Sequence, residues 1–150
     1  MRVYLDTNVL YSFLKKKIEE KISGNNGRGL AFTFLDNIGI IPLTSFLTLI
    51  ELVDVLKREI NVNKRSLENF VEAEITNLKI KLIEETKIDD NVFKWYLKGL
   101  ELKDAIHLNT AKENNLTLIT NDISLLKFAK SVGVESLTIR DLKEKLSNYF

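Results

Sequence analysis

Four acidic residues stand in this sequence where a carboxylate needs an explanation. Asp6 closes the short apolar run of VYLDTNVL, and Asp122 closes LTLITND in the same way. Glu51 lies in SFLTLIELVDVL between Ile50 and Leu52, with Leu47 and Val55 one helical turn away on either side. Asp104, in LKDAIHLNTA, has Leu100, Ala105, Ile106, Leu108 and Ala111 around it. A carboxylate facing apolar surface is costly unless it is paired, hydrogen-bonded or bound to a cation. Taken singly, each acid is explained by a Lys or Arg partner or by capping, because Asp, Thr and Asn accept bonds from the orphan N–H groups of a helix's first turn. Asp54, three residues after Glu51, has apolar neighbours too, and periodicity does not rank the two.

The elements around these acids alternate. A strand at about 2–5 leads to a helix over about 8–17, where Val9, Leu10, Phe13 and Leu14 recur at helical spacing. The loop SGNNGRG at 23–29 precedes a second helix carrying Leu30, Phe34 and Leu35. IGIIPLTS gives a strand ending near Leu43, after which Thr44 or Ser45 caps a helix with Leu47, Ile50, Val53 and Leu56. A further helix carries Leu67, Phe70, Val71 and Ile75, and IKLIEE is the next strand. Two helical stretches then surround Trp95 and LKDAIHLNTAKEN. LTLIT is a strand before the helix ISLLKFAKSVG, and VESLTI a last strand before the helix RDLKEKLSNYF. This order predicts an α/β fold, a parallel sheet with helices on both faces, in a single domain spanning 1–150. In such sheets the active crevice lies at the carboxyl ends of the strands, near a topological switch point. Asp6 and Asp122 both follow strands at that end.

The composition narrows the chemistry. With 45% hydrophobic residues in 150, the chain suits a soluble globular domain, and no apolar run approaches a membrane span of roughly 20 residues. Asp6 and Asn8 interrupt the first apolar run, so no signal peptide is expected and a cytoplasmic location is. The absence of cysteine excludes disulfides, thiolate metal sites and a cysteine nucleophile. Twenty-two basic against 21 acidic residues give a net charge of +1, which is no bulk footprint for nucleic acid. Positive charge is clustered locally in Lys15-Lys16-Lys17, with Lys21 and Arg28 following. Such a run reads first as a solvated helix end, with one or two members beside a phosphate path.

The motifs LDTNVL, TSFLTLIEL, LKDAIHLNTA and TLITND, taken in this order, resemble the PIN-domain ribonucleases, including VapC-like toxins of toxin–antitoxin pairs. The resemblance covers nearly the whole chain, and its first and last motifs are the most specific. It implies a three-layer α/β/α sandwich with a roughly five-stranded parallel sheet. It places the family's acidic quartet on Asp6, Glu51, Asp104 and Asp122, as catalytic residues and metal ligands, with Asn8 and Thr120 as polar helpers. Many members carry a further Asp two residues after the last acid; here Ser124 stands there.

Clustered carboxylates repel one another, by on the order of 4 kcal/mol at 4 Å for an effective dielectric of 20. A cation relieves that repulsion, and an oxygen-only set suits Mg²⁺ or Mn²⁺. The implied function is metal-dependent hydrolysis of RNA by activated water. The implied partners are a small antitoxin and a second copy of the chain in a homodimer. The other reading weighed is a catalytically weak PIN-like module that binds RNA or protein. A phosphohydrolase of the haloacid-dehalogenase type wants a second Asp where Asn8 stands. His107, the only histidine, reads as a packing or orienting residue within its Ile-and-Leu stretch, and Trp95 and Tyr96 as core or interface packing rather than stacking partners for bases.

Overall fold

The computed structural model describes residues 1–23 and 39–147. Strand β1 (Arg2–Leu5) leads into helix α1 (Thr7–Ser23), and β2 (Ile41–Ser45) into α2 (Phe46–Glu59) and α3 (Lys64–Asn77). Then β3 (Lys81–Ile83) leads into α4 (Asp90–Leu97) and α5 (Leu102–Glu113). Finally β4 (Thr117–Ile119) leads into α6 (Ile123–Ser131), and β5 (Ser136–Leu137) into α7 (Ile139–Ser147). The expected helix with Leu30, Phe34 and Leu35 lies outside the described residues. None of the described helices is long and apolar enough to cross a membrane.

The five strands form one sheet in the order β3-β2-β1-β4-β5, and every pairing is parallel. The chain begins in the middle, builds outward through β2 and β3, then returns to the other side of β1 for β4 and β5. The switch point therefore falls between β1 and β4. Asp6 continues that pairing with a backbone bond from its N–H to the Ile119 carbonyl, 3.0 Å.

Both faces of the central strand are covered, which explains its unbroken apolar run. Val3 and Leu5 pack on one side with Val9, Phe13, Leu52, Leu56, Val71 and Leu142, from α1, α2, α3 and α7. Tyr4 packs on the other with Val92, Trp95, Leu108, Leu125 and Ala129, from α4, α5 and α6. Leu118 and Ile119 of β4 divide between the same two cores. The result is the three-layer α/β/α sandwich.

Two local details differ from the sequence reading. Helix α1 runs past residue 17 to Ser23, because lysines propagate a helix well and Lys17 pairs with Glu74, which is buried on α3. Neither Thr44 nor Ser45 caps α2 with its side chain. Ser45 occupies the N-cap position without a capping bond, and its hydroxyl instead meets the Tyr4 hydroxyl at 2.8 Å. The Thr44 hydroxyl donates to the Leu5 carbonyl at 2.8 Å. Both hydroxyls are fully buried, and the sheet makes the more pressing demand on them.

Leu118 tests how far the site depends on this packing, since it is fully buried on β4, one of the two strands that border the switch point. Leu118→Ala should cost about 2–5 kcal/mol of stability. Urea unfolding should show a lower midpoint with an unchanged slope; a loss under 1 kcal/mol would contradict the two-core description.

Candidate active site

Asp6 sits just beyond β1, only 3% exposed. Its Oδ1 accepts from the Thr7 N–H at 2.8 Å, and its Oδ2 accepts from the Thr120 hydroxyl at 2.8 Å and the Asn8 amide at 3.1 Å. Asn8 also reaches across the switch point, its Oδ1 accepting from the Asn121 N–H at 3.1 Å. The Thr120 hydroxyl in turn accepts from the Asp122 N–H at 3.1 Å. Asn8 and Thr120 thus stitch the turn after β1 to the turn after β4. Burial raises the Asp6 carboxyl above its usual range; the His107 charge and the bonds from Thr120 and Thr7 pull it down, and Glu51 adds to the rise.

Glu51 reaches the site from α2. Its Oε1 bonds His107 Nε2 and accepts from the Thr7 hydroxyl at 3.3 Å. Asp54, which periodicity could not separate from it, is exposed. A carboxylate offers only acceptors, so Nε2 must carry the proton. On the far side of the ring, Nδ1 lies 2.6 Å from the Tyr4 hydroxyl, which reaches Ser45. A buried relay Ser45–Tyr4–His107–Glu51 therefore crosses the sheet from β2 through β1 to α5 and α2. Burial lowers the His107 imidazole, but the Glu51 bond and the charges of Asp6, Glu51 and Asp104 outweigh it, leaving the group above its ordinary value. Burial raises the Tyr4 phenol, more than its hydroxyl bonds lower it.

Asp104 lies in the first turn of α5. Burial first, then the Asp6 charge, push its carboxyl up to about 7; His107 eases the rise and Asp122 and Glu101 add to it. No side chain among the described residues donates a hydrogen bond to it. Asp122 caps α6, its Oδ1 accepting from the N–H groups of Ser124 at 2.9 Å and Leu125 at 3.2 Å. Ser124, standing where an acid was expected, contributes to that cap with its backbone.

The fold brings Asp6, Asp104 and Asp122 into one electrostatic neighbourhood, with Glu51 joined to it through His107. Among the described residues, no three His, Asp or Glu side chains are arranged to hold one metal ion between them. A hard cation does not require that, since Mg²⁺ commonly binds through one or two carboxylates and keeps its waters. An unpartnered carboxyl raised by burial and then by neighbouring negative charge, in an oxygen-only donor set, is chemistry that fits such an ion.

The family model for the PIN domain matches residues 3–131. The chain belongs to the PIN-domain family. Members of that family are generally nucleases, and so hydrolases. The fold is similar to PAE2754 from Pyrobaculum aerophilum, at 19% identity over 99% of this chain and 96% of that one, TM-score 0.65. It is also similar to VapBC-1 from nontypeable Haemophilus influenzae, at 19% identity over 93% and 99% of the two chains, TM-score 0.62. A toxin–antitoxin complex from Klebsiella pneumoniae matches at 22% identity over 91% and 97%, TM-score 0.56. No curated protein matches the sequence.

Within this PIN domain, the sequence reading missed Tyr4 and Ser45, and it reached only the general role of His107. A tyrosine inside a strand buried on both faces was the available signal, because its hydroxyl must find a partner there. Trp95 is core as read, 4% exposed and edge-on to Phe128 with ring centres 6.2 Å apart. Tyr4→Phe would leave His107 and Ser45 short of a buried partner and should cost about 1–3 kcal/mol. Tyr11→Phe, which removes a bond to Glu59 at the surface, should stay within about 0.5 kcal/mol. Equal melting shifts for the two variants would refute the relay.

Proposed function

We propose that this PIN domain is a divalent-metal-dependent endoribonuclease and the toxin of a toxin–antitoxin pair, acting in the cytoplasm. The observation that carries the catalytic part is Asp104, held near the charges of Asp6 and Asp122 with its carboxyl raised to about 7. A fold gains no stability from burying a carboxyl without a partner beside two other acids, whereas a bound cation would offset both costs.

Asp6, Glu51, Asp104 and Asp122 would hold the metal, Mg²⁺ or Mn²⁺. When bound, that ion supplies a water acidified for attack and positive charge beside the phosphate. Asn8 and Thr120 fix the Asp6 carboxylate, and so set the distance between the two turns. His107 orients Glu51 as the orienting partner of a ligand does in metal sites. Attack by water on phosphorus breaks the bond to the 3′ oxygen, so the products carry 5′-phosphate and 3′-hydroxyl ends.

Two surfaces support partners. Between α2 and α3 lies a groove of about 280 Å³ lined by Phe46, Leu49, Ile50, Val53 and Val71. Phe46 and Ile50 are 46% and 58% exposed, and Glu51 follows directly on the same helix. An antitoxin segment seated there would lie beside the site; Leu52 of the same helix is buried and takes no part in that surface. Phe32 and the other apolar residues at 30–35 lie outside the described residues. On α4, Phe93, Tyr96 and Leu97 are 55%, 53% and 66% exposed, a patch that would serve a homodimer.

Asp104→Asn tests the catalytic reading. Folded Asp104 binds its proton near pH 7 and the unfolded residue near pH 4, so the metal-free parent loses stability as pH rises between about 4 and 7. The variant lacks that loss and should melt at or above the parent at pH 7. Mn²⁺ should raise the parent's melting temperature and not the variant's, and RNA cleavage should fall by orders of magnitude. A destabilised variant that still cleaves would remove Asp104 from the site. Cleavage that survives excess EDTA, or 2′,3′-cyclic phosphate ends, would refute the metal–water mechanism. No cleavage by the metal-loaded parent would favour the binding module.

A further inference from the structure

Next to the acidic site, a cleft of about 470 Å³ opens between α1 and α7. Its lining includes Ser12 and Lys16 of α1, Asn121 of the turn after β4, and Arg140, Lys143 and Glu144 of α7. The cleft is continuous with the site: the Asn121 N–H bonds Asn8, whose amide bonds Asp6, and Asp122 is the next residue. Along α1, Asn8, Ser12 and Lys16 recur every four residues, so they form one stripe. That stripe spans two turns, about 12 Å, from the neighbour of Asp6 to a lysine.

The three consecutive lysines resolve into separate roles here. Lys15 reaches Glu59 at 3.7 Å and Lys17 pairs with Glu74. Lys16, between them, is exposed and has no ion pair among the described residues; it faces the cleft. From the opposite wall, Arg140 is 88% exposed and lies 3.5 Å from Glu144, itself 67% exposed. A surface pair of that kind is weak enough to exchange for a better anion. Lys16 and Arg140 against the one carboxylate of Glu144 leave the cleft positive, while the adjoining site is negative. That polarity suits a ligand whose scissile group binds through metal and whose flanking groups carry charge of their own.

We propose that the α1–α7 cleft is the track for the phosphodiester backbone flanking the scissile phosphate, with Lys16, Arg140 and Lys143 as its phosphate contacts. The occupant is single-stranded RNA, and this choice rests on the nuclease reading above. The contacts are to backbone, so they set affinity and register and leave base preference untouched. The chain's net charge of +1 then poses no obstacle to binding RNA, because the needed charge is concentrated on one wall of the site.

The test measures binding apart from cleavage. In the Asp104→Asn background, binding of a labelled single-stranded RNA oligonucleotide is followed by fluorescence anisotropy across a salt series. Each phosphate contact removed from a single strand lowers the slope of log K against log salt by about 0.7. Lys16→Gln with Arg140→Gln should therefore lower it by about 1.4 and weaken binding at 0.1 M salt by roughly 10- to 30-fold. Lys130→Gln with Lys145→Gln removes the same charge away from the cleft and should change neither. With Asp104 restored, the cleft variant should raise KM on that oligonucleotide, leave kcat unchanged and cleave a dinucleotide like the parent. An unchanged slope in the cleft variant, or an equal loss in the control, would overturn the track. So would intact RNA binding with lost binding to polyglutamate, which would assign the cleft to an acidic protein. Should the parent prove unable to cleave any RNA while the cleft variant still loses binding, the nuclease reading fails and the track stands.

Discussion

A carboxylate held at the centre of the sheet, where water scarcely reaches, governs the arrangement of everything near it. Asp6 follows a strand buried on both faces, and the strand order puts its end at the switch point between β1 and β4. A charge in that position needs donors, and no single element provides enough. Thr7 and Asn8 come from the start of α1 and Thr120 from the end of β4. The two turns are therefore locked together by the same bonds that make Asp6 tolerable. Asp122, two residues beyond Thr120, inherits its position from that lock.

The second constraint is one of charge balance. His107 is a buried imidazole among several acids; its bond to Glu51 and the charges of Asp6, Glu51 and Asp104 raise it above its ordinary value against the effect of burial. Breaking a buried ion pair by removing one member costs more than forming it gains, because the survivor is stranded. His107 cannot be exchanged for an apolar residue without freeing Glu51. Its ring is fixed from the other side by Tyr4, so the orientation of a candidate ligand on α2 depends on a hydroxyl in the central strand. One imidazole offsets only part of that negative charge, and the Asp104 carboxyl, half-buried beside Asp6, is raised to about 7.

Much of this was legible in the sequence because it follows from period and position. The alternation of short apolar runs with helical spacing is what a parallel sheet under two helical layers requires, and five strands with helices on both faces were found. The strand-end location of Asp6 and Asp122 could be read for the same reason, and hydrogen bonds through Asn8 and Thr120 join the two turns that carry them. What stayed hidden depends on which of several local partners wins. Thr44 and Ser45 look like caps in any local reading, yet a carbonyl of β1 and a tyrosine hydroxyl claim them. Glu51 and Asp54 share their apolar neighbours, and only the rotation of α2 against the sheet turns one inward. The lysines 15–17 form a single run by composition, while three directions on a helix surface send them to three destinations.

The choice between cap and site, natural when each acid is taken alone, dissolves once the oxygens are counted. A carboxylate has two oxygens and about four lone-pair positions. Asp122 spends Oδ1 on the first turn of α6, and Asp6 spends Oδ1 on the first N–H of α1. Capping fixes the rotamer of each side chain, and so the direction in which its other oxygen is held. Asp104 has no such bond; burial first, then the Asp6 charge, raise its carboxyl to about 7. Capping at the ends of β1 and β4 is therefore the means by which an ordinary α/β scaffold holds acids at the switch point that would otherwise turn away from one another.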